Sequence, residues 1–198
     1  KHKIWNDQKL VRTYFHQLID ALEYLHSNDL YHMDVKLENL LIGENFVLKL
    51  ADFDTGYKKG DRTLLGSGTS GRRAPERKDP DVEGMAACDI YSAGICLFNM
   101  AVGHFPYSEL QPGSKQEDLW AMMLDEDEKF WQRHQKITEN YSQILTPMFK
   151  SLFMSMTKRN PLERISIEEI KQSAWYQGPV YKPDELINVM KAYFSDDN

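Results

Sequence analysis

Three short segments follow one another along the chain: Tyr31-His32-Met33-Asp34-Val35-Lys36-Leu37-Glu38-Asn39, then Ala51-Asp52-Phe53-Asp54, then Gly68-Thr69-Ser70-Gly71-Arg72-Arg73-Ala74-Pro75-Glu76. They bring carboxylates, an amide, a hydroxyl and an ammonium group together at close spacing. Side chains of these types can accept a proton, offer hard oxygen atoms to a cation such as Mg2+, and set positive charge beside an anion. Any one segment alone reads equally well as ordinary solvated loop. The three in this order, followed by an apolar stretch that opens at Asp89, are not explained that way.

Regular elements must hold these loops in place. Val11, Phe15, Leu18, Leu22 and Leu25 recur at spacings of four and three, which predicts an amphipathic helix over residues 6–26 with Asn6 or Asp7 as its N-cap. Residues 40–42 and 46–50 are short β-prone runs around Gly43-Glu44-Asn45, a small hairpin. The stretch 54–73 reads as a long irregular loop, of the kind that is usually functional. From 87 to 101 apolar residues occupy nearly every side, as in a helix at the centre of a domain. Further helices are expected near 116–124, 143–156, 166–172 and 183–193, punctuated by Pro147, Pro161, Pro179 and Pro183. No internal repeat or low-complexity segment is evident. The fold class is mostly α, a helical bundle with a small β-ribbon.

The three segments resemble the catalytic loop, the metal-binding D-F-G and the A-P-E of the eukaryotic protein kinases, and the resemblance runs from about residue 6 to 176. It implies the C-terminal lobe of a serine/threonine kinase, transferring the γ-phosphate of ATP with Mg2+ to a hydroxyl of a protein or peptide substrate. Asp34 matches the aspartate that accepts the substrate's proton, and Lys36 the lysine that faces the γ-phosphate. Asn39 and Asp52 match the metal ligands. Lys36, Glu38, Asn39, Leu41 and Asp52 fall at cofactor-binding positions, with Leu41 under the adenine ring. Thr69 and Arg72 fall in the substrate pocket. Lys36 in D-x-K-x-x-N and Thr69 after Gly68 are features of the serine/threonine class. Glu38 to Phe46 and Leu48 to Phe53 resemble the calcium/calmodulin-dependent and AMP-activated branch. Among structural positions, Glu76 should pair with Arg164, Asp89 should accept backbone N–H groups of the catalytic loop, and His32 and Phe53 should form an apolar spine beneath the site.

The family pattern is broken in places. Met33 replaces the arginine of H-R-D, which ordinarily pairs with a phosphate on the activation loop, so phosphorylation at Thr63 or Ser67 should matter less here. Asp54 replaces the glycine of D-F-G and is expected to carry backbone strain there. Arg72 stands where a tyrosine or similar residue usually shapes the pocket. No glycine-rich loop, strand lysine or partner glutamate precedes the catalytic loop. The N-terminal β lobe is therefore expected to lie upstream of a fragment that begins at Lys1, and the fragment alone is expected to be inactive. Residues 1–178 are assigned to the kinase domain and 179–198 to a helical, acidic tail. A pseudokinase scaffold is the alternative reading, suggested by Met33 and Asp54 and opposed by the retained Asp34, Lys36, Asn39 and Asp52.

Composition narrows the surroundings. The 198 residues fit one domain, and 41% hydrophobic with 27% charged residues gives a folded core and a solvated surface. A net charge of −6 with no basic stripe disfavours nucleic acid as a partner. Cys88 and Cys96 cannot form a disulfide framework and read as buried thiols. The six histidines show no metal-binding spacing. No signal peptide, lipidation box or run of about 18 apolar residues is read. A cytoplasmic protein without a membrane partner is expected.

Overall fold

Asp7 opens the first helix: its side chain accepts the N–H of Leu10 at 3.0 Å, which satisfies one of the orphan donors of α1 (Gln8–Ser27). The computed structural model describes residues 7–59, 74–78, 84–107, 115–138 and 140–195. The predicted stripe of α1 is buried, with Leu10, Val11, Phe15, Leu18, Ile19 and Leu22 almost wholly withdrawn from solvent. Burying each such side chain stabilises by about 1.5–3 kcal/mol before chain entropy is counted.

That face packs on α2 (Met85–Val102), the helix foreseen at 87–101. Its apolar residues point all round and are buried all round, and Gly103 ends it with a φ of 83°, its N–H returning to Asn99 O at 2.8 Å. By length and composition α2 could cross a bilayer, which corrects the expectation that no such run exists; most of it is buried within the protein.

Three helices, α3 (Lys115–Leu124), α4 (Glu128–Ile137) and the single turn α5 (Tyr141–Ile144), lead to α6 (Pro147–Met156). Gly94 lets α6 lie close to α2, since a Cβ there would stand 3.1 Å from Met156 Cβ. The expected helix at 143–156 is interrupted because Pro147 takes the first helical position, with Thr146 as N-cap. Helix α4 was not foreseen. Phe130, Trp131 and His134 recur at helical spacing and are its buried face, but the rest of its ten residues are mostly charged or polar and the stretch reads as hydrophilic overall. Ser166 and Glu169 form a capping box for α7 (Ile167–Gln172), and α8 (Pro183–Ser195) closes the described chain.

Four short strands hold the loops between α1 and α2: β1 (Leu30–Tyr31), β2 (Leu40–Ile42), β3 (Leu48–Leu50) and β4 (Tyr57–Lys58). The expected hairpin is β2 with β3, antiparallel with Leu40 opposite Leu50, Leu41 opposite Lys49 and Ile42 opposite Leu48. At its tip the N–H of Gly43 bonds to Val47 O at 2.8 Å, and Asn45 and Phe46 take left-handed φ values of 55° and 59°. β1 pairs with β4, so part of the stretch expected to be irregular is a strand. Two-residue strands leave no alternation in the sequence. Residues 60–73 lie outside the described part.

Candidate active site

The catalytic-loop segment is held from below by Asp89. This carboxylate, fully buried near the start of α2, accepts the N–H of His32 and of Met33, each at 2.8 Å. A third donor is His26, in the last turn of α1, whose Nε2 lies 3.0 Å from Asp89 Oδ2. A carboxylate only accepts, so the imidazole nitrogen donates. The expected role of Asp89 is seen in the geometry; that of His26 was missed. In hindsight, a histidine closing a helix six residues before His32 is the only trace of it in the sequence.

These bonds keep Met33 at a φ of 65°, buried, in a region that bulky residues avoid. The left-handed step turns the chain so that Asp34 follows directly. His32 adds a second constraint. Its Nε2 lies 2.9 Å from the carbonyl of Ala51 and must donate, while its Nδ1 accepts the N–H of Asp34 at 3.3 Å. The ring thus carries its proton on Nε2, and it ties the aspartate loop to the strand end that delivers Asp52.

Asp34, Lys36 and Asn39 converge. Lys36 Nζ donates to Asp34 Oδ2 at 2.6 Å, and Asn39 Nδ2 donates to the Asp34 carbonyl at 3.0 Å. Asp34 and Asn39 are both buried. With its nitrogen engaged, Asn39 could turn only its amide oxygen to a cation. Asn39 immediately precedes β2 and Asp52 follows β3 by two residues, and the Ala51 N–H bonds to Asn39 O at 2.9 Å, so the hairpin base holds both predicted metal ligands. An amide oxygen and an exposed carboxylate are hard donors that fit Mg2+ with phosphate oxygens and water completing the shell.

Backbone strain falls elsewhere than expected. Asp52 has a φ of 68°, whereas Asp54 is not among the described residues of positive φ. The turn after it closes through the Gly56 N–H to Phe53 O at 2.8 Å, and a Cβ on Gly56 would stand 2.9 Å from that oxygen. The glycine this turn requires is therefore at 56, and aspartate is accommodated at 54. The Phe53 ring rests on His32 with centroids 4.9 Å apart but keeps 51% of its surface exposed. Leu41 is similarly open at 53%, and Glu38 is exposed. Thr69, Arg72, Thr63 and Ser67 lie outside the described residues.

Glu76 and Arg164 meet as predicted, through paired hydrogen bonds from the two terminal guanidinium nitrogens, the Nη2 to Oε2 contact at 2.7 Å. The Cys88 thiol donates to the same carboxylate at 3.2 Å, and burial beside that negative charge pushes the thiol's pKa well up. It is an inert, protonated cysteine, as its sequence context suggested.

Against known proteins, the family described as protein kinase domain matches residues 1–176. CBL-interacting protein kinase 26 of Oryza sativa subsp. japonica is 33% identical over 175 residues, covering 86% of this chain and 32% of that protein. CBL-interacting serine/threonine-protein kinase 20 of Arabidopsis thaliana is 31% identical over 178 residues, covering 86% and 36%. CBL-interacting protein kinase 31 of the same rice is 33% identical over 196 residues, covering 93% and 39%. The chain spans about a third to two fifths of the length of these curated relatives. A family match across most of the chain, with the catalytic-loop, D-F-G and A-P-E residues in the arrangement described, means that the chain belongs to the protein kinase family, on its serine/threonine side.

Proposed function

We propose that this chain provides the C-terminal lobe of an ATP- and Mg2+-dependent protein serine/threonine kinase, with residues 1–178 in the kinase domain and 179–198 as its tail. The lobe works with an N-terminal lobe from elsewhere in the protein, acts on a protein or peptide substrate in the cytoplasm, and needs neither nucleic acid nor a membrane. Activity at Met33 depends little on activation-loop phosphate, because methionine supplies neither charge nor donor.

The observation that carries this reading is the Lys36–Asp34 contact at 2.6 Å, with Asn39 clamped on the same loop. A carboxylate so held is fixed for accepting the proton of an incoming hydroxyl, and the adjacent ammonium counters negative charge that spreads over a transferring phosphoryl group. ATP brings that group, and Asn39 and Asp52 would hold the Mg2+ that would offset its charge. Glu38 and Leu41 border the same nucleotide site, and Thr69 and Arg72 the substrate side.

A scaffold without catalysis is the competing reading, motivated by Met33 and Asp54. Phosphotransfer by the full-length protein from ATP to serine and threonine peptides separates the two. Transfer that is abolished by Asp52→Ala supports the kinase. Nucleotide binding with no transfer under any condition supports the scaffold.

A further inference from the structure

We propose that α8 is a brace for the nucleotide–metal site: it holds the tip of the β2–β3 hairpin and thereby fixes the separation of Asn39 and Asp52 at the hairpin's base. What the base binds rests on the kinase reading above; the mechanical coupling does not.

The hairpin needs outside support. Each strand has three residues, and an isolated two-stranded hairpin is marginal in water. Its tip also forces Asn45 and Phe46 into left-handed conformations that non-glycine residues adopt at a cost. Helix α1 supplies part of the support, with Gln17 Oε1 accepting the Leu48 N–H at 2.7 Å. Helix α8 supplies the rest. Leu186 and Met190 are buried in a cluster with Leu10 and Tyr14 of α1 and Leu48 of β3, with Phe46 packed against it. Phe194 stacks on Phe46 at the tip, centroids 5.9 Å apart and ring planes 14° from parallel.

The seat of α8 is itself fixed. Arg12 donates to Trp175 O at 2.7 Å and to Pro179 O at 2.8 Å, and the Tyr181 N–H bonds to Thr13 Oγ1 at 2.8 Å. The Tyr181 hydroxyl donates to Asp7 Oδ2 at 2.8 Å, so the residue that caps α1 also anchors the lead into α8. Gly178 lies so close to Arg12 that a Cβ would stand 2.6 Å from its Cζ. From tip to base is only about 10 Å at the ordinary strand rise, short enough for the hairpin to move as one piece. Displacing α8 therefore loosens the two ligands together.

The test uses the full-length protein, with amide hydrogen exchange and the affinity for a fluorescent ATP analogue with Mg2+. Leu186→Asp should raise exchange across residues 40–50 by about ten-fold or more while leaving α2 protected, because the hairpin opens locally. The same variant should weaken Mg2+-nucleotide binding by about 3- to 10-fold, as the competent arrangement becomes a smaller fraction. Should α2 also lose protection, Phe194→Ala decides, since Phe194 is 57% exposed and its loss leaves the core intact. It should reproduce the hairpin effect at smaller size. Hairpin exchange and affinity within two-fold of wild type, while residues 183–195 exchange freely, would overturn the brace. If wild type binds no Mg2+-nucleotide, the kinase reading fails and hairpin exchange alone still decides the coupling.

Discussion

Arg164 and Glu76 stand 88 residues apart in the chain and meet as a bidentate ion pair, the guanidinium side chain fully buried and the carboxylate 10% exposed. Arg164 further donates to Lys158 O at 2.8 Å and Ala87 O at 3.0 Å, so it ties the start of α2 to the segment before α7. Glu76→Ala leaves a buried cation without its counter-charge. It should destabilise the protein by about 3–5 kcal/mol. Urea denaturation of both proteins measures this, and a shift within error would mean the pair does not form in solution.

Asp89 makes a second prediction. Removing its carboxylate strips the acceptor from two buried N–H groups and from His26, and frees Met33 from its left-handed φ. Asp89→Ala should cost about 3–5 kcal/mol, since each bond is to a charged acceptor and the donors stay buried. His26→Ala, losing one bond, should cost about 1–2 kcal/mol by the same scale. Amide exchange at His32 and Met33 should rise sharply in Asp89→Ala; unchanged protection there would contradict the account.

Acid should act through His134. This residue is 1% exposed, its Nε2 donates to Pro106 O at 3.0 Å, and its buried Nδ1 has no hydrogen-bond partner among the described residues. Burial first, then the neighbouring His104 and Arg133, push its pKa down to about 4. The unfolded chain takes up this proton near pH 6.5 and the folded one only near 4, so the contribution is complete above 6.5 and is lost as pH falls towards 4. The loss amounts to about 3 kcal/mol. Denaturation at pH 7 and 4.5 should show a larger drop for wild type than for His134→Phe. Equal drops would exclude His134 as the cause.

Much of the site was legible because it rests on local signals. The Asp7 cap, the β2–β3 hairpin, the all-apolar α2 and the helix near 166–172 each follow from spacing or cap chemistry within a few residues. The Glu76–Arg164 and Asp89 contacts were legible only through the family resemblance, since nothing in the intervening sequence joins them. What stayed hidden depends on tertiary contact: the β1–β4 ribbon, the His26–Asp89 bond, and the seating of Phe194 on Phe46. The strain expected at Asp54 sits at Asp52 because the turn places its glycine at 56.

The central claim concerns Asp34, whose carboxylate receives Lys36 Nζ at 2.6 Å. Asp34→Asn keeps the shape and one acceptor oxygen but removes the negative charge and the proton acceptor. Turnover of the full-length protein on a serine/threonine peptide should fall by about 10²- to 10⁴-fold. Nucleotide affinity should stay within a few-fold, because the nucleotide's ligands are untouched. Measured side by side with ATP titration, that separation is the predicted result; a variant that turns over at the wild-type rate would contradict the assignment of Asp34 and the account built on it.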